Sequence, residues 1–109
     1  MKDMTKFFIK WWVDSAIAAS AYPDRLQEAA KLNLKMLEMT KADLSAGMIT
    51  EWGTSCSGME GYAITEASEE DLSAGMLKYA PVIAYKVFPI LNVDQSMEVA
   101  KKAAAAMQA

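Results

Sequence analysis

The stretch Lys6-Phe7-Phe8-Ile9-Lys10-Trp11-Trp12-Val13-Asp14 constrains the fold more than any other part of the chain. Successive side chains of a strand point to opposite sides. Phe7, Ile9, Trp11 and Val13 therefore make one wholly apolar row, and Phe8, Lys10, Trp12 and Asp14 make the other. A sheet wetted on one side carries polar side chains there. Two aromatic rings interleaved with charge on the second row predict that this face too is covered, by another subunit or by a ligand.

Composition narrows the chemistry. A length of 109 residues, 53% of them apolar and 23% charged, fits one compact domain spanning residues 1–109. The net charge of -3 and the scattered lysines give no general attraction for phosphate backbones, so nucleic acid is not an expected partner. The absence of histidine removes the commonest metal ligand and the commonest general base near neutral pH. A single cysteine allows no intrachain disulfide and no Cys/His cluster for zinc, iron–sulfur or haem. No metal centre and no cofactor are expected, although oxygen-only metal sites stay open.

The first twenty residues imitate a signal peptide, with a basic start, an apolar stretch and Ala19-Ser20-Ala21. Lys10 and Asp14 interrupt the apolar core of that imitation, and Asp3 sits in what should be a basic leader. No run reaches the ~20 apolar residues that span a bilayer. A cytoplasmic protein with no membrane partner is the expectation.

Beyond the first strand, Ala21-Tyr22-Pro23-Asp24 reads as a helix entry. The helix is expected to run to about Ala46, with a core stripe of Leu26, Ala30, Leu34, Leu37 and Leu44 broadened by Leu32, Met36 and Met39. Gly47 fits a left-handed C-cap. Residues 48–54 and 61–66 read as strands joined through Ser55–Glu60, a small polar hairpin connection. Ser68 before Glu69, Glu70 and Asp71 predicts an N-capped helix over about 69–79, which Pro81 helps to end. Val82–Leu91 reads as a fourth strand whose Pro89 belongs at an edge or bulge, and Asp94 is placed to cap a final helix. The hexapeptide Asp-Leu-Ser-Ala-Gly-Met occurs at 43–48 and again at 71–76, ending one helix and lying near the start of the next.

The resulting order is β-α-β-β-α-β plus a C-terminal helix, an α+β arrangement of the ferredoxin-like kind, with a four-stranded antiparallel sheet and both long helices on one face. Phe7-Phe8-Ile9-Lys10-Trp11-Trp12, Glu51-Trp52-Gly53, Gly61-Tyr62-Ala63-Ile64 and Val82-Ile83-Ala84-Tyr85-Lys86-Val87 carry a further likeness. On these segments the chain resembles the dimeric α/β-barrel superfamily, in which two such sheets pack face to face. The resemblance implies a homodimer. It embraces cofactor-independent oxygenases, isomerases, haem-dependent enzymes and noncatalytic binding proteins, and members that work through histidine lack their required residue here.

With Phe7, Ile9, Trp11 and Val13 under the helices, the open face is expected to gather Phe8, Lys10 and Trp12 with Val82, Ala84, Lys86, Phe88 and Ile90. Ala63 and Thr65 are expected to join from the third strand and Glu51 from the second. Aromatic walls, two lysines and small residues suit an aromatic or acidic metabolite between paired sheets. The same rings also serve as plain interface packing, with Lys10, Lys86 and Glu51 pairing or reaching the rim. Cys56 has no neighbouring cation to stabilise a thiolate, and the acidic run at 69–71 is explained by its helix N-terminus. Three readings remain: a small-molecule-binding homodimer, a cofactor-independent oxygenase or isomerase, and a structural or regulatory module.

Overall fold

The structure, a computed structural model, describes residues 4–14, 26–80 and 82–108. The expected helix entry at Ala21–Asp24, the Leu26 side chain and the terminating role of Pro81 lie outside the described residues, as does much of the signal-like stretch. Among the described residues four strands and three α-helices follow one another as β1 (Thr5–Val13), α1 (Leu26–Ser45), β2 (Glu51–Thr54), β3 (Glu60–Ala67), α2 (Glu69–Met76), β4 (Ile83–Ile90) and α3 (Val93–Met107). A 3-10 turn, Leu77–Tyr79, extends α2. The strands form one antiparallel sheet in the order β2-β3-β1-β4. The chain is thus α+β with an open four-stranded sheet.

The doubly loaded segment is a central strand. β1 lies between β3 and β4, so its Phe7, Ile9 and Trp11 are enclosed from both sides and form the core with Ala63. Pairing is continuous from Thr5↔Ala67 to Trp12↔Glu60 on one side and from Lys6↔Ile90 to Val13↔Ile83 on the other. β4 is an edge strand, which accommodates Pro89.

Local chemistry sets the ends of the helices. Gly47 takes φ +79° after α1. Met48 N donates to Asp43 O at 2.9 Å and Gly47 N to Leu44 O at 3.2 Å, a Schellman closure. The second strand begins at Glu51 rather than at 48, because Met48 and Ile49 are still occupied in closing α1. Ser68 caps α2 through Asp71 N at 3.2 Å. At α3 the cap is Asn92 and not Asp94: its side chain accepts from Gln95 N at 2.8 Å while Gln95 Oε1 accepts from Asn92 N at 2.9 Å. This reciprocal capping box satisfies two amides, whereas Asp94 already lies in the first turn.

Two further expectations are corrected. The α1 stripe turned toward the sheet is Asn33, Met36, Leu37, Thr40 and Asp43, and Leu34 is 57% exposed. Asp43 selects this rotation, since its backbone and carboxylate both bond inward. The second hexapeptide copy begins at the third residue of α2 and runs to its last. Ala63 and Thr65 pair with Ile9 and Phe7, so they belong to the buried face and not to the open one.

Candidate functional site

Between the buried sheet face and the helices lies a cleft of about 670 Å³. Its floor is Ile9, Trp11, Trp52, Ala63, Thr65 and Tyr85; its roof is Met36, Leu37, Thr40 and Asp43 from α1 with Leu72, Gly75 and Met76 from α2. This volume falls inside the range of small-molecule sites, which are apolar with a few convergent polar groups. Met4, Met36, Met48 and Met76 all reach the lining, and unbranched thioethers adapt readily to a bound shape.

The aromatic floor depends on a missing side chain. Trp11 and Trp52 stack with centroids 5.6 Å apart and planes 9° from parallel, and Trp11 Nε1 donates to Tyr62 O at 3.2 Å. Gly61 pairs with Trp11 across the sheet. A Cβ at Gly61 would lie 2.6 Å from Trp11 Cζ2, so only glycine lets the indole lie across β3.

The polar end is organised by Asp43, a buried carboxylate at the close of α1. It accepts from Lys78 Nζ at 2.5 Å and from the Tyr79 hydroxyl at 2.7 Å. Burial, reinforced by the Asp43 hydrogen bond, pushes the Tyr79 pKa up to about 12 although Thr40 opposes the shift. Tyr79 therefore holds its proton at neutral pH and acts as a donor. Thr65 donates to Met48 O, tying the floor to the end of α1. Both hexapeptide copies border the cleft, and a Cβ on Gly75 would lie 3.8 Å from Met48 Cε.

Asp43 escaped the sequence reading, in which Tyr79 is able in principle to donate a proton but fits an apolar or interfacial position equally well. The ion pair joins positions 35 residues apart, and no local pattern announces it. The best available signal was an acid, Asp43, one residue from Leu44 near the end of a helix otherwise read through its leucines.

The opposite face brings together most, but not all, of the residues expected there. Phe8, Lys10 and Trp12 of β1 lie beside Phe88, Lys86 and Ala84 of β4, and Tyr62, Ile64 and Glu60 of β3 take the places expected for Ala63 and Thr65. Glu51 is level with Ile64 at the β2 side. Phe8 stacks with Tyr62 at 6.1 Å and meets Phe88 at 6.5 Å, while Phe88 stays 47% exposed. Lys10 pairs directly with Lys86, and these two with Trp12 and Glu60 border a depression of about 280 Å³. Hydrogen bonding toward Glu51, helped by desolvation and its negative charge, holds the Tyr62 hydroxyl above its usual pKa.

Residues 5–104 match the family described as a domain of unknown function, DUF3303. The chain belongs to the DUF3303 family. The match takes in all four strands and most of α3, so the cleft and the open face both lie within the DUF3303 region. No curated protein and no solved structure matched the DUF3303 chain. Among its described residues no helix is long and apolar enough to cross a membrane, and no group of three or more His, Cys, Asp or Glu is placed to hold a metal ion. Cys56 is exposed in the β2–β3 turn and is not among the residues lining the cleft, although Thr54 and Gly58 on either side of it are.

Proposed function

We propose that this chain is a homodimeric small-molecule-binding protein, with its ligand held between helices and sheet and its open sheet face turned to a second copy. The carrying observation is the cleft of about 670 Å³, whose indole floor and methionine roof end in the Asp43–Tyr79 pair. Aromatic stacking on Trp11 and Trp52 suits a planar apolar body. Asp43 presents carboxylate oxygens at the polar end of the lining, so the matching ligand is neutral or cationic and carries a hydrogen-bond donor. The strand order β2-β3-β1-β4, with α1 and α2 bordering one face, supports the ferredoxin-like, dimeric-barrel reading.

A cleft-filling variant tests the site. Gly75→Leu gains helix propensity of about 0.8–1 kcal/mol and projects a side chain into the space near Met48. The expected result is a folded protein that no longer brightens 2-aminonaphthalene fluorescence, alongside a wild-type chain that does. Equal brightening by both would remove the cleft as the site. Turnover of a bound molecule by purified protein would favour the oxygenase or isomerase alternative.

A second reading has one observation behind it. The direct Lys10–Lys86 pairing beside Trp12 gives an aromatic carboxylate two ammonium partners on the open face. Weaker binding of naphthoate by both Lys10→Met and Lys86→Met would support that location.

A further inference from the structure

The open face is divided by charge as well as lined with rings. Down β3 it presents Glu66, Ile64, Tyr62 and Glu60, with Glu51 beside Ile64 on β2. Down β1 it presents Lys6, Phe8, Lys10 and Trp12, and β4 adds Ile90, Phe88, Lys86 and Ala84. Within the paired strands carboxylates thus occupy the β2–β3 half and ammonium groups the β1–β4 half, with Asp14 just beyond the end of β1, and an aromatic seam separates them. Among the described residues no ion pair joins Lys6, Lys10 or Lys86 to Glu51, Glu60 or Glu66.

Two copies packed face to face by a two-fold axis lying between them have two limiting orientations. An axis across the strands lays each half over its own kind, bringing lysine to lysine and glutamate to glutamate. An axis along the strands lays the basic half of each copy over the acidic half of the other and leaves heights along the strand unchanged. Like charges juxtaposed in a desolvated contact are strongly unfavourable, and unlike charges fix register.

We propose that a second copy of this chain docks on the open face with the two-fold axis along the strands. Lys6, level with Glu66 in its own sheet, then meets the partner's Glu66, and symmetry makes the contact twice. Phe8 meets the partner's Ile64 at the apolar centre by the same geometry. This inference rests on the homodimer reading above and adds the orientation to it.

Complementary charge reversal separates the two. Lys6→Glu and Glu66→Lys are each measured by light scattering and sedimentation, with circular dichroism to verify folding. Each alone should raise the dimer dissociation constant on the order of tenfold or more. Mixing the two variants should restore association, because both contacts in the heterodimer again join opposite charges. Repulsion within one chain cannot be relieved by mixing. A wild-type chain that stays monomeric at micromolar concentration overturns the homodimer reading and the orientation together. A dimeric wild type whose association is unchanged or strengthened by Lys6→Glu, or whose weakened variants fail to recover on mixing, overturns the orientation alone.

Discussion

Gly61 shows how one position controls the floor of the cleft. Adding a methyl group there would force a contact of 2.1 Å with Gly53 O as well as the clash with Trp11. Gly61→Ala is expected to destabilise the protein by about 1–3 kcal/mol in urea denaturation and to shift the tryptophan emission. An unchanged midpoint would argue against the close indole seat. Tyr79 supplies a pH signature. Its folded pKa of about 12 exceeds the ordinary value of 10.0, so its contribution is fully present below pH 10 and is lost as pH rises toward 12. Ultraviolet titration should find a tyrosine ionising near pH 12 that disappears in Tyr79→Phe, while the delayed ionisation of Tyr62 persists. Cys56→Ser should leave folding and naphthylamine binding unchanged, since this exposed thiol lies outside the cleft lining. What sequence reasoning missed at this scale was the Asp43 cluster, whose meaning arises only when the turn after α2 reaches back to α1.

At the scale of elements, strands and turns were more legible than the rotation of the first helix. Period-two alternation identified β1 and β4, and the φ of +79° at Gly47 and the Ser68 cap follow from backbone chemistry that a short window contains. Leucine spacing alone did not choose the inward face of α1. A buried carboxylate with an ammonium and a hydroxyl partner outweighs the burial of one more aliphatic side chain, leaving Leu34 outward. Leu34→Ala is therefore expected to change stability by no more than about 0.5 kcal/mol. Ile9→Ala, on the floor, should cost roughly 2–5 kcal/mol. Similar costs for the two in urea denaturation would contradict this rotation. The error over Ala63 and Thr65 has the same character: one residue of register moves a whole row to the other face.

At the scale of the molecule, α3 departs from the compact part. All its described residues are exposed, and the Cα radius of gyration is 17.9 Å against about 13 Å for a compact chain of 100 residues. Its alanines and capping box favour helix locally, but a short helix without tertiary packing is marginal in water. Hydrogen exchange should find α3 amides far less protected than those of β1 and β3. Equal protection would show that α3 is packed in solution. The element order was legible because each segment carries its own punctuation; the reach of α3 was not, since its amphipathic pattern resembles that of a docked helix.

The edges of the sheet bear on how large an assembly can become. β2 is only four residues long, and Pro89 interrupts the amide donors of β4. Both features discourage strand-by-strand addition, which would otherwise recreate an acceptor edge after every copy. Face pairing about a two-fold axis consumes the face it uses. Association of this chain should therefore saturate at a finite species as concentration rises, rather than continue into fibres.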